Sequence, residues 1–171
     1  MSWSRAVLLA FVAVFGLTGC VFDLSGDKPA KPARSDYLPP RDEANWAKMQ
    51  AFLAEYKKRD GVITLDNGIM YRWLVKGPGK GRKATWASTV VVRYKGSLID
   101  GTVFDQTKET PAEFDLNNLV KGWQEVVPVM RDGDKIEAVF PSEYGYGRAG
   151  KGSIIKSDQV LIFEIELLGL K

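Results

Sequence analysis

The chain has 171 residues, with 24 Lys and Arg against 21 Asp and Glu, 45% hydrophobic residues, a single cysteine and no histidine. His-based triads, Cys–His pairs and His- or Cys-rich zinc sites are therefore excluded. The charge balance gives no electrostatic case for nucleic acid, and Gly77-Pro78-Gly79-Lys80-Gly81 has neither the spacing nor the hydroxyl of a phosphate loop, so chemistry without a metal or cofactor is favoured.

Arg5 followed by the apolar run Ala6 to Leu17 predicts an export signal over residues 1–19. The run is too short to span a bilayer and lacks the polar face of a core helix. Leu17-Thr18-Gly19-Cys20 resembles a bacterial lipobox, which implies that Cys20 is lipidated and becomes the first residue of the mature chain, an anchor and not a nucleophile. In such lipoproteins an aspartate after the cysteine commonly retains the protein in the inner membrane; Val21 is not aspartate, so the implied address is the outer membrane. Losing Arg5 takes the 24 basic residues to 23 against 21 acidic ones. Residues 20–40, rich in Pro, Ser, Lys and Asp, read as a solvated tether.

Residues 41–60 turn helical, because Trp46, Met49, Phe52, Leu53 and Tyr56 recur at three- and four-residue spacings before Gly61. Packing on its own domain and a weak homodimer contact fit that stripe equally. After Gly61 the pattern becomes strand-like. Val62 to Leu65, the turn signal Asp66-Asn67-Gly68, and Ile69 to Val75 read as a hairpin. Thr89 to Leu98, Val103 to Asp105, Lys135 to Phe140 and Val160 to Leu168 read as further strands. Among them only Gly122 to Met130 is periodic in the helical sense: Trp123, Val126, Val127 and Met130 fall at i, i+3, i+4 and i+7. Pro128 argues that this helix is short. Residues 61–171 are thus expected to form one α+β domain, an antiparallel sheet closing on one helix.

Val90 to Gly96, Asp100-Gly101, Phe104-Asp105, Phe114, Lys121-Gly122-Trp123, Tyr144 to Gly147 and Leu161 to Leu168 together resemble the FKBP-type peptidyl-prolyl isomerases, and Phe52 to Tyr71 resembles the linker of their exported macrophage-infectivity-potentiator-like branch. The resemblance implies a sheet of about five to six strands curled around the Trp123 helix. It implies a pocket with Trp123 as floor, walls of Tyr94, Phe104, Phe114, Leu119, Val120, Ile155 and Phe163, and polar atoms from Asp105 and Tyr146. Asp105, Tyr146, Tyr94 and Phe104 would act on the X-Pro bond, and the remainder would bind the polypeptide client. For each aromatic residue ordinary core packing is the competing reading. Asp105 follows an apolar run, where a buried carboxylate needs a partner, and Tyr146 lies between two glycines in a loop no core requires.

The expected function is an isomerase working by desolvation in an apolar pocket; a chaperone that binds clients in the same groove without isomerising them is the alternative. Lys156-Ser157 stands where the family commonly has two prolines, Val126 where a glycine is frequent, and Arg148 and Lys151 make the loop after Tyr146 basic.

Overall fold

Along the last strand Leu161, Phe163, Ile165 and Leu167 are buried while Ile162, Glu164, Glu166 and Leu168 are half-exposed. A strand alternates its side chains across the sheet, so this sheet has one apolar face that must be covered. The computed structural model describes residue 38 and residues 40–171; the signal, Cys20 and nearly all of the tether lie outside the described residues.

The strands are β1 (Ile63–Thr64), β2 (Met70–Val75), β3 (Thr89–Ser97), β4 (Val103–Gln106), β5 (Ala112–Asp115), β6 (Lys135–Phe140) and β7 (Leu161–Leu170). They form one antiparallel sheet in the order β1-β2-β6-β7-β3-β4, with β5 also paired to β3. The expected α+β architecture is present. The sheet counts seven strands because one edge of β3 is shared: Lys95 to Ser97 pair with β4, and Thr89 to Val92 pair with β5. Sequence reasoning did not find β5, whose four residues AEFD are too short and too charged to stand out. Val62 to Leu65 shrinks to the two exposed residues of β1. Its turn is as expected: Gly68 takes φ +86° and the Asn67 side chain accepts from the Ile69 amide at 3.1 Å.

The helix expected over Gly122 to Met130 is shorter. α2 spans Lys121–Val126, and Val127–Val129 continue as a 3₁₀ turn. Pro128 has no N–H to extend the α ladder, which explains the change of winding. Trp123, Val126, Val127 and Met130 are all buried against the inner sheet face, so the core assignment stands.

The N-terminal helix α1 (Glu43–Tyr56) is capped by Asp42, whose carboxylate accepts from the Asn45 amide at 3.0 Å. Met49 and Tyr56 are buried with Met70, Val139 and Val160, and Phe52, Leu53 and Ile162 pack around them. Ile162 alternates with the core-facing residues of β7, so α1 lies on the sheet face opposite α2. Of the two uses the stripe allowed, packing on its own domain is the one observed.

Candidate active site

α2 begins with Lys121-Gly122-Trp123, and the glycine has a steric reason. A Cβ at Gly122 would lie 2.4 Å from the Phe140 ring, so no larger residue lets α2 rest this close to β6. Trp123, 3% exposed, is then met edge-on by three rings: Tyr94 of β3 and Phe163 of β7 at 5.5 Å, and Phe114 of β5 at 6.4 Å. Edge-to-face contacts suit the ring quadrupoles and fix all four side chains. Phe104 of β4 stands edge-on to Phe163 at 5.5 Å. Gly96 makes this contact fit, since a Cβ there would come within 2.7 Å of Phe104 and 2.8 Å of Phe163.

These rings, with Leu119, Val120, Asp105, Tyr146 and Lys151, line a cavity of about 220 Å³. A neighbouring cavity of about 350 Å³ shares Phe104, Asp105, Tyr146 and Lys151 and is completed by Gly152, Ser153, Ile154 and Ile155. Each residue that the resemblance assigned to the pocket lies on one of these two cavities, Ile155 on the second and the other wall residues on the first. In chemical terms this is an aromatic floor with a polar rim. The first cavity offers hydrogen-bond donors and acceptors, and among its lining residues there is no serine or cysteine.

At that rim the Tyr94 hydroxyl donates to Asp105 at 2.8 Å. Burial of the phenol, reinforced by the hydrogen bond and charge of Asp105, raises the Tyr94 pKa well above its ordinary value, so the hydroxyl keeps its proton at neutral pH. Asp105 itself is exposed, not buried as expected. β4 is an edge strand, and its carboxylate keeps water while taking one protein partner. The Tyr146 hydroxyl accepts from Lys151 Nζ at 3.1 Å, and the ammonium lies 4.8 Å from the ring centroid. A hydroxyl that accepts still has its own proton to donate.

Two contributors were missed. In the sequence Lys151 is only loop charge, because nothing in a glycine-flanked lysine indicates contact with Tyr146. Gln124 donates to the carbonyls of Leu119 at 2.8 Å and Asn117 at 3.2 Å, holding the segment that supplies Leu119 and Val120. A polar residue between core positions of a helix gives no signal of that role.

The family model described as FKBP-type peptidyl-prolyl cis-trans isomerase matches residues 80–168, and that of the domain amino-terminal to it matches residues 35–72. The chain is 36% identical over 140 residues to the outer membrane protein MIP of Legionella longbeachae, covering 81% of this chain and 59% of that protein. It is 39% identical over 129 residues to the peptidyl-prolyl cis-trans isomerase Mip of Coxiella burnetii, covering 74% and 55%. Among solved structures it is similar to a peptidyl-prolyl cis-trans isomerase of Pseudomonas syringae, with TM-score 0.72, 35% identity, and coverage of 78% of this chain and 98% of that one. FkpA of Escherichia coli gives TM-score 0.68 at 36% identity, covering 75% and 62%. The chain thus spans somewhat over half the length of these two curated relatives.

Proposed function

The chain belongs to the FKBP-type peptidyl-prolyl cis-trans isomerase family, and we propose that it catalyses rotation about X-Pro bonds of exported polypeptides in the Trp123 pocket. The observation that carries this reading is the aromatic enclosure of Trp123 by Tyr94, Phe114 and Phe163 beneath the Asp105 and Tyr146 rim. Peptide-bond rotation meets a barrier of roughly 18–20 kcal/mol because resonance keeps the bond planar. The planar form is more charge-separated than the twisted one, so an apolar enclosure opposes the ground state more than the transition state. A hydrogen bond donated by the Tyr146 hydroxyl to the substrate carbonyl contributes about 1 kcal/mol, against the ~8 kcal/mol that a millionfold acceleration needs. Desolvation and shape supply the larger share, with Asp105 holding the Tyr94 hydroxyl in place at the rim.

An exchange assay on X-Pro peptides tests the proposal. Acceleration that Asp105→Leu reduces supports it; rates equal to the uncatalysed peptide, with clients still bound, would leave the chaperone alternative.

The proposal extends to location. The signal and the lipobox resemblance at Leu17 to Cys20 support a lipid anchor on Cys20, and a similar protein carrying the name outer membrane protein supports that address. Residues 20–40, rich in Pro, Ser, Lys and Asp, would serve as the tether between that anchor and the domain. Self-association through residues 41–60 is expected to be weak, since Met49 and Tyr56 are already buried on the chain's own sheet. Fractionation with mass spectrometry of Cys20 is the check: soluble protein with an unmodified thiol would overturn the anchor.

A further inference from the structure

Residues 146–158 form a closed loop whose two sides face different elements. On one side Tyr146, Lys151 and Ile155 line the cavities. At its exit, every residue from Ser157 to Val160 contacts α1 or the residue just before its cap. Asn45 Nδ2 donates to the Ser157 carbonyl at 2.8 Å, and its Oδ1 accepts from Gln159 Nε2 at 3.4 Å. The Arg41 guanidinium, 3.9 Å from the Trp46 ring centroid, lies 3.5 Å from the Asp158 carboxylate. The Val160 amide donates to the Met49 sulfur at 3.4 Å.

The loop transmits this hold inward. The Asp158 amide donates to the Gly147 carbonyl at 3.0 Å, directly after Tyr146, and the Gly150 amide donates to the Tyr146 carbonyl at 3.1 Å. Lys151 and Ile155 exchange backbone hydrogen bonds at 2.8 and 3.2 Å, closing the tip. Asp158 is 2% exposed and is the one non-glycine residue with positive φ, +59°, among those described. A left-handed aspartate persists only where its surroundings hold it, and here they are Ser157 Oγ, at 3.0 Å, and Arg41.

We propose that the N-terminal turn of α1 is a clasp, with Arg41 and Asn45 as positioning residues that fix the 146–158 loop and thereby set Tyr146 and Ile155 against the substrate. The helix whose stripe also fitted a partner copy is in this respect part of the active site, although neither residue touches the pocket. The inference rests on the isomerase reading for its catalytic readout and on the loop contacts for its structural one.

The test is the full chain with Arg41→Ala and Asn45→Ala combined, compared with the parent and with Arg41→Lys, which retains the charge. Hydrogen exchange at Asp158 and Gly150 should accelerate by about tenfold or more in the double variant, while β3 and β7 amides exchange as in the parent. On X-Pro peptides kcat should fall about three- to tenfold with KM changed less, since displacing a positioned group costs rate. Arg41→Lys should stay closer to the parent than to the double variant in both readouts. A parent-like Asp158 exchange rate would overturn the clasp, and so would uniform acceleration of all amides with kcat intact. If the parent chain itself does not accelerate isomerisation, the isomerase reading fails, and the exchange measurement still decides the clasp.

Discussion

Tyr94 on β3 and Asp105 on β4 are joined by a hydroxyl-to-carboxylate hydrogen bond of 2.8 Å across the mouth of the Trp123 cavity. Asp105 is solvent-exposed, so the bond orients the rim without carrying the fold.

Asp105→Leu is therefore expected to lower kcat/KM by about tenfold, the scale of a hydrogen bond to a charged group. The melting temperature should barely move, because an exposed edge-strand substitution usually changes stability by no more than about 0.5 kcal/mol. Steady-state kinetics and a thermal melt on the same preparation check both halves. Unchanged turnover would remove Asp105 from the site.

Trp123→Ala should behave in the opposite way. The indole is buried and touches rings from β3, β5 and β7, so its removal leaves a cavity no single neighbour can fill. The expected cost is about 3–5 kcal/mol, read by denaturant unfolding. A variant as stable as the parent would show that α2 does not organise the core.

The contrast between these two residues shows what the sequence made legible. Trp123 announces itself by helical spacing with Val126, Val127 and Met130, and all four are core. β7 was equally plain, because strict alternation over Leu161 to Leu167 leaves one reading. The pocket was legible only through the family resemblance; periodicity places Phe114 nowhere, since β5 exists by pairing to β3 and not by its own pattern. Asp105 was expected to be buried because its neighbours are apolar, but local composition does not say which strand lies at an edge. Contacts such as Lys151 to Tyr146 and Asn45 to Ser157 depend on where side chains end, separated in the second case by 112 residues.

Tyr146→Phe keeps the ring and removes only the hydroxyl. If that hydroxyl donates to the substrate carbonyl, kcat/KM should drop about fivefold, matching roughly 1 kcal/mol. Loss of all activity would assign the hydroxyl a larger part than one neutral hydrogen bond can supply.

Gly96→Ala tests the packing behind the pocket without touching a polar group. The new methyl would overlap Phe104 and Phe163, and each ring would have to leave its edge-on position. Overpacking of this kind costs about 1–3 kcal/mol, and it should be accompanied by a rise in KM as the cavity changes shape. Parent-like stability and KM would show that the rings shift freely.

The last prediction concerns acid, and it falls on the opposite face of the sheet. Tyr56 on α1 and Arg72 on β2 both donate to the Glu137 carboxylate, at 2.7 and 2.8 Å. Burial, the largest single influence, pushes the Glu137 pKa up. The two hydrogen bonds and the charges of Arg72 and Arg59 together outweigh it, so the net shift is downward. Glu137 therefore stays ionised in the folded chain at pH values where the unfolded chain has begun to take up a proton. Its contribution is fully present above the ordinary glutamate value, near 4.5, and is lost as pH falls through that value toward the lowered folded one. Glu137→Gln should cost about 1–3 kcal/mol at pH 7, because Arg72 loses its charged partner. The same variant should lose less stability than the parent between pH 5 and pH 3, on the order of the linkage it no longer has. Melts at both pH values decide the matter: equal acid slopes for parent and Glu137→Gln would show that the junction of α1 with the sheet does not titrate through Glu137.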